Sequence, residues 1–407
     1  MRKDQIIISG TGCALADFLY TDIRFESPEF LKFRSGSAGD GGLSPGKLVF
    51  TEDLEKFAGI PFAEVLAEVT NHSDPDSCNI GGPGLVSLIH AAQMLAEENA
   101  RVFFYGGLGK DDTAKKILEL VQKTPLDISN YIITGDKASP FTDVLSDHTY
   151  DNGHGERTFI NNIGAAWDYS PAFLTDDFFN SDIVCFGGTA LVPPIHENLS
   201  ALLKKSKQNN CITIVNTVYD FLNEKKSPGE KWPLVSSQED LKLIDLLIMD
   251  KEEALRISGE KSLDAASAFF IKSGISSFVV TNGAENVVAY SSGTFFKSQD
   301  LIYLPVSGKV KKELSSSAKS KGDTTGCGDN FAGGLIASVA KQLKNKERGE
   351  FDLIEALCLG ISSGGVACFY KGGTYFEQCK GEKSKLVQIY YEDYLIQIGK
   401  NETCKAR

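Results

Sequence analysis

A chain of 407 residues with 42% hydrophobic content can bury a large core, and length alone allows two or three domains. Its net charge of −12 argues against a general nucleic-acid binder, which needs a basic stripe, but not against a local phosphate site. Nine scattered cysteines with no Cys-x-x-Cys pair, and five histidines without ligand spacing, argue against a zinc site or a disulfide framework and favour a reducing, cytoplasmic setting.

The apolar run at 6–8 is too short for a signal core, and no segment approaches the roughly 20 apolar residues of a membrane span. Along the chain, short apolar strands alternate with amphipathic helices. Strands are predicted at 6–9, 102–105, 183–186, 212–215, 246–249 and 278–280. They run into Gly106-Gly107, Gly187-Gly188, Asn216, Asp250 and Thr281-Asn282-Gly283. Helices are predicted at 85–97, 113–122, 252–258 and 352–369. Buried β-branched strands followed by glycine and then a helix indicate an α/β fold with a mostly parallel sheet covered on both faces. Ligands of such sheets bind outside the carboxyl ends of the strands.

Two segments, 22–76 and 137–165, break this rhythm. The first carries helical periodicity over 50–69, and the second has strand-like pieces at 141–146 and 158–161 around Asp151-Asn152-Gly153. They read as lid elements on a single domain spanning 1–400, with 401–407 as a tail. The Lys- and Ser-rich stretch 309–321 reads as a mobile loop, and 386–398 as an aromatic helix packed on the body.

The most informative run is Gly322-Asp323-Thr324-Thr325-Gly326-Cys327-Gly328-Asp329-Asn330, which leads into a helix predicted over 331–343. A glycine-rich helix start offers free backbone N–H groups and the positive end of the helix dipole to an anion. Beside it, Asp329 supplies a carboxylate. A base next to an anion hole suits phosphoryl transfer to a hydroxyl: Asp329 takes the proton, and the N–H groups of Gly326, Cys327 and Gly328 hold the phosphoryl oxygens.

This run closely resembles the Asp-Thr-x-Gly-Ala-Gly-Asp signature of the PfkB (ribokinase-like) carbohydrate and nucleoside kinases, with Cys327 in place of the usual Ala. The resemblance extends over roughly 5–375 and implies a three-layer α/β/α fold with a small β lid that closes over the acceptor. It also implies ATP and Mg²⁺, with a monovalent cation such as K⁺ as a further candidate. Asp323 and Thr324 then lie near the nucleotide phosphates. Asp250-Lys251-Glu252-Glu253 matches the family's Asn-x-x-Glu with Asp250 for Asn, so Glu253 and Asp250 are candidates for indirect metal support. Thr281 and Gly283 match a nucleotide turn in which Asn286 replaces the second glycine, and Asn tolerates a left-handed backbone.

On the acceptor side, Asp17 matches the family's early aspartate, and Gly81-Gly82 its substrate-facing glycine pair. The amide expected at 86 is Val86, for which Asn79 is a candidate replacement. Arg157 matches an arginine after the second lid strand that could reach an anionic group. Gly106-Gly107-Leu108-Gly109-Lys110-Asp111 reads as a structural turn and helix start.

The expected activity is ATP-dependent phosphorylation of a small sugar, with a nucleoside as the alternative acceptor. A non-catalytic sugar- or nucleotide-binding relative is the competing class, favoured by Val86, Asp250 and Asn286 and opposed by the intact Asp329. A dinucleotide oxidoreductase fits badly, since Gly10-Thr11-Gly12 supplies only two glycines of the fingerprint. Lid edge strands could pair two subunits into a homodimer.

Overall fold

The computed structural model describes residues 5–37, 39–153, 155–316, 322 and 324–400. Fourteen strands occur among them: β1 (Ile6–Gly12), β2 (Leu15–Tyr20), β3 (Leu48–Phe50), β4 (Ser77–Gly81), β5 (Ala100–Leu108), β6 (Asp127–Ile133), β7 (Phe141–Asp147), β8 (Glu156–Asn162), β9 (Ile183–Gly187), β10 (Ile212–Asn216), β11 (Leu246–Asp250), β12 (Ser277–Thr281), β13 (Val287–Ser291) and β14 (Gln299–Leu304).

Nine of them form one sheet in the order β14-β13-β12-β11-β10-β9-β1-β5-β6. Every pairing from β12 through to β6 is parallel, and β13 and β14 add an antiparallel edge. Along β9, Ile183 and Cys185 join one core while Val184 and Phe186 join the other. Burial on both faces is why these strands read as unbroken apolar runs. One face packs against the helices Pro83–Met94, Cys327–Leu343 and Leu353–Ala367. The other carries Leu199–Gln208 and Leu263–Lys272.

The lid is a second sheet of five strands, β3-β8-β7-β2-β4. It is larger than the two insertions foresaw, because β2 and β4 also belong to it. Asp17 therefore lies inside a lid strand. The lid has its own core of Tyr20, Phe30, Val49, Leu54, Val65, Leu145 and Ile160. The helical stretch expected over 50–69 is two helices, Thr51–Ala58 and Phe62–Val69, broken at Gly59-Ile60-Pro61 where Gly59 is left-handed.

Two other expectations change. Residues 308–315 form a helix rather than a loop, because Ser307 caps it at Val310 N and Val310 is buried; 317–321 lie outside the described residues, as does the tail 401–407. The helix after the glycine run begins at Cys327, four residues earlier than the apolar pattern suggested, which sets Asp329 in its first turn. Asp111 caps the Asp112–Val121 helix, as the structural reading of that turn expected.

Candidate active site

The carboxyl ends of the parallel strands gather the chemistry. Gly12, Gly187 and Asn216 lie in register across β1, β9 and β10, and Asp250 is paired with Thr281 across β11 and β12. Over this edge stands the start of the Cys327–Leu343 helix. Its N-cap is Gly326 with φ 72°, and no side chain caps it. A side chain at 326 would be strained by the left-handed backbone and would also run into Gly373. Among the described residues, no backbone carbonyl accepts from the N–H of Gly326 or Gly328, whereas Cys327 N lies 3.3 Å from Thr324 O in a turn. A Cβ on Gly328 would meet nothing within 4 Å. Among the described residues the helix thus begins with two N–H groups that meet no backbone carbonyl, beside open space at Gly328, and such a start suits an anion.

Asp329 is half-buried in this first turn, and burial raises its pKa to about 7. A carboxylate that titrates near neutrality can accept a proton and release it again. The charges of Asp329 and Asp17 both bear on the buried thiol of Cys13, whose pKa is pushed up by burial first and then by these two carboxylates. Residues more than 300 positions apart in the chain are thus brought to one place.

Asp17 belongs to a polar row across the lid sheet. It is in register with Asn79 on β4 and Thr142 on β7, and Thr142 is in register with Asn161 on β8. Residues directly opposite one another share a sheet face. Asn161 Nδ2 donates to Thr142 Oγ1 at 2.8 Å, while its buried Oδ1 has no hydrogen-bond partner among the described residues. Asn161 lines a cavity together with Gly12, Cys13, Gly107 and Tyr169. Gly81 ends β4 against the Asp17 carboxylate, where any side chain would displace that carboxylate. Gly82 then caps the Pro83–Met94 helix.

At the carboxyl end of β11, Asp250 and Glu253 form a capping box. Asp250 Oδ1 accepts from Glu253 N at 2.8 Å, and Glu253 Oε2 accepts from Asp250 N at 2.8 Å and from Thr217 Oγ1 at 2.6 Å. Glu253 is buried, and its pKa rises to about 8, first through burial and then through the charges of Asp250 and Asp329. Thr281 ends β12 beside Asp250, and Gly283 turns the chain with φ 56°. Asn286 does not adopt a left-handed backbone, so the turn rests on Gly283 alone. Thr324 is exposed at the mouth of the glycine turn, and Asp323 lies outside the described residues. Among the described residues, no cluster of three or more His, Cys, Asp or Glu side chains could cage a metal.

Three side chains also make contacts within the protein that their sequence reading did not include. Val86 is buried and packs on Gly373, so position 86 supports the loop at 370–374. Asn79 ties down the same loop, with Nδ2 on Lys371 O at 3.0 Å and Oδ1 accepting from Ile80 N at 2.7 Å; it is in register with Asp17 but is occupied structurally. Arg157 reaches from the lid to the glycine turn, where Nη1 donates to Thr325 Oγ1 at 2.6 Å.

Sequence reading missed the support beneath the turn. Asn330 donates to Gly326 O and Gly373 O at 2.8 and 2.9 Å. Its Oδ1 accepts from Lys383 Nζ at 2.6 Å and Tyr370 OH at 3.0 Å. Lys383 is fully buried, and burial lowers its pKa to about 7. Asn330, next to Asp329, could have been suspected from its position. Lys383 gave no signal, since nothing in its neighbourhood marks it as buried. Thr142 and Asn161 sat in predicted strands without a role, and only strand pairing aligns them with Asp17.

The profile of the pfkB family carbohydrate kinases matches residues 58–378. The chain is 25% identical over 296 residues to a bifunctional ribokinase/ribose-5-phosphate isomerase A from Fructilactobacillus sanfranciscensis, covering 70% of this chain and 47% of that protein. It is 23% identical over 239 residues to a fructokinase from Rhizobium leguminosarum bv. trifolii, covering 58% of this chain and 65% of that one. The match thus spans about half of the first relative and just under two thirds of the second. Among solved structures, adenosine kinase from Schistosoma mansoni in complex with 2-fluoroadenosine superposes with a TM-score of 0.64 at 15% identity, over 91% of this chain and 97% of that one. Arabidopsis thaliana ribokinase complexed with ribose and ATP superposes with a TM-score of 0.59 at 16% identity, over 95% and 99%. At such identities the structural likeness is one of fold, and the fold is ribokinase-like α/β. No helix among the described residues is long and apolar enough to cross a membrane. With its profile matched over most of its length, the chain belongs to the pfkB family of carbohydrate kinases.

Proposed function

We propose that this protein transfers the γ-phosphoryl group of ATP to a hydroxyl of a small sugar. The observation that carries this reading is the half-buried Asp329, with a pKa of about 7, in the first turn of a helix at whose start the N–H groups of Gly326 and Gly328 meet no backbone carbonyl among the described residues. Asp17, Thr142 and Asn161 hold the acceptor hydroxyls. The Asp329 carboxylate takes the proton of the attacking hydroxyl as its oxygen bonds to phosphorus, and ADP leaves. Backbone N–H groups at 326–328 stabilise the transferring oxygens, and loss of one such donor typically costs about 3 kcal/mol. Arg157 links the lid to this turn and is positioned to hold the lid over it. Thr281, Gly283 and Thr324 flank the nucleotide.

Magnesium fits the residues present. Glu253 is a buried carboxyl whose charged form is disfavoured by two neighbouring carboxylates, and among the described residues no protein cage competes with phosphate and water ligands. Glu253 and Asp250 would support the ion indirectly, and when bound it would neutralise charge on the nucleotide phosphates. We assign no role to a monovalent cation.

The test is ADP release from Mg·ATP with a panel of pentoses, hexoses, their phosphates and nucleosides, with Asp329→Asn as control. Release that depends on a sugar and is lost in the variant is expected. Release with nucleosides alone would move the acceptor to that class. Binding of nucleotide without release on any acceptor would make the chain a non-catalytic relative.

A further inference from the structure

Cys327 stands where the family signature carries Ala, and a second thiol faces it. Cys327 opens the Cys327–Leu343 helix, and Cys368 is the C-cap of the Leu353–Ala367 helix. The two helices run past each other in opposite directions and approach closely through glycine: Gly364 abuts the Cys327 carbonyl, and Gly360 abuts Phe331. At this crossing the two Sγ atoms are 3.4 Å apart, and both residues are only half-buried. Among the described residues they are the only two thiols in mutual contact. Cys13, Cys185, Cys211 and Cys358 are buried, and Cys379 is exposed on its own.

The surroundings favour thiol chemistry. Cys327 sits at a helix N-terminus, and the Lys383 ammonium is close enough for the two groups to influence each other's charge. Electropositive, partly exposed positions of this kind are where cysteines react. A disulfide needs an S–S separation of about 2.0 Å, so the sulfurs must close by roughly 1.4 Å, within reach of side-chain rotation and a small shift of two helix ends.

We propose that Cys327 and Cys368 form a reversible disulfide under a peroxide oxidant and that this bond closes the anion-binding turn. The Cys327 thiolate attacks one peroxide oxygen, the O–O bond breaks, and Cys327 becomes a sulfenic acid with release of water. The Cys368 thiolate then attacks that sulfur, the S–S bond forms, and a second water leaves. Two thiols have given two electrons to one peroxide. A dithiol reverses the reaction by exchange. Formation of the bond does not depend on the proposed reaction; its effect on turnover does. The consequence follows from position: the bond ties the first residue of the anion turn to the end of a neighbouring helix. A displacement of about 1 Å in such a site can cost 10²-fold in rate.

The experiment treats the full-length protein with hydrogen peroxide and reads it in two ways. Non-reducing peptide mass spectrometry looks for a Cys327–Cys368 cross-linked peptide, two hydrogens lighter than its parts. Mg·ATP binding and ADP release are measured before oxidation, after it, and after dithiothreitol. The expected result is the cross-linked peptide together with a loss of about 100-fold in turnover, both reversed by the dithiol. Cys368→Ser should keep basal turnover and its melting temperature, form no cross-link, and lose the dithiol-reversible inhibition. Cys379→Ser should behave like the unmodified protein. Absence of the cross-linked peptide in the unmodified protein overturns the proposal whatever the protein phosphorylates. A cross-link that leaves both nucleotide binding and turnover unchanged overturns it as well. If no acceptor supports turnover, the cross-link and nucleotide binding still decide the matter.

Discussion

Two helices begin on the same edge of the main sheet and are built in opposite ways. The Lys251–Ser258 helix is closed: Asp250 and Glu253 satisfy its first N–H groups in a capping box, and Thr217 adds a bond to Glu253. The Cys327–Leu343 helix is left open: Gly326 caps it without a side chain, and Gly328 faces empty space. A closed start stabilises its own fold, whereas an open one leaves N–H groups and a dipole available to a ligand. The difference also shows in what lies beneath. The open start is held from below by Asn330, Lys383 and Tyr370, so its orientation is fixed while the N–H groups of Gly326 and Gly328 meet no backbone carbonyl among the described residues.

The largest effect should come from the proposed base at the open start. Asp329→Asn should lower kcat by at least 10³-fold while Mg·ATP binding, read by calorimetry, changes little; near-normal kcat would remove Asp329 as the base. In the unmodified protein, with both substrates below saturation, kcat/KM should fall about tenfold per pH unit below about 7 as Asp329 protonates. The stability effect has the opposite sign. The folded pKa lies above the unfolded value of 3.8, so below about pH 4 the group is protonated in both states and no penalty exists. Between there and about 7 the unfolded chain sheds a proton that the folded chain keeps, so stability falls as pH rises, then levels off. Asp329→Asn should therefore raise the melting temperature at pH 8 and leave it unchanged at pH 4.

Closing the open start is the next test. Gly326→Ala forces a left-handed alanine against Gly373 and should cost about 1–2 kcal/mol in urea denaturation. It should also lower kcat by about 10²-fold through misplaced N–H groups. A variant with unchanged kinetics would mean the turn is not the anion site.

On the lid, Asn161→Leu should raise the acceptor KM by about tenfold with little change in kcat if, as proposed, an acceptor hydroxyl meets the buried Oδ1 that has no partner among the described residues. An unchanged KM for every acceptor would take Asn161 out of the site. The smallest effect belongs to the closed start. Asp250→Ala should remove about 1 kcal/mol of stability through the lost cap, measured by denaturant midpoint, with kcat reduced far less than by Gly326→Ala. A loss of kcat as large as that of Gly326→Ala would mean that Asp250 is more than a cap.

Much of the main sheet was readable because strands buried on both faces become continuous apolar runs ending in glycine or a polar residue, as in Ile183–Gly187. The lid was only half readable. β2 carries Asp17 in mid-strand, and β3 is only three residues long, so neither shows a clear alternation. Their strand character comes from pairing with β7 and β8. The glycine turn was legible, but the helix start was misplaced because Cys327, Gly328 and Asp329 do not look helical. They are helical because Asn330 and Gly373 lock the turn from the other side.

By itself the sequence determined the layered α/β architecture, through its period of apolar runs, and the chemistry of one turn, through glycines and an acid at fixed spacing. Local spacing can encode these because the residues concerned are neighbours in the chain. Tertiary structure alone decided which distant groups come together around that turn: Asp17 and Asp329 both acting on Cys13, Asn161 in line with Asp17, Lys383 under Asn330, and Cys368 against Cys327. Burial then set the working pKa of Asp329, since desolvation depends on the atoms packed around a carboxyl and not on its neighbours in sequence.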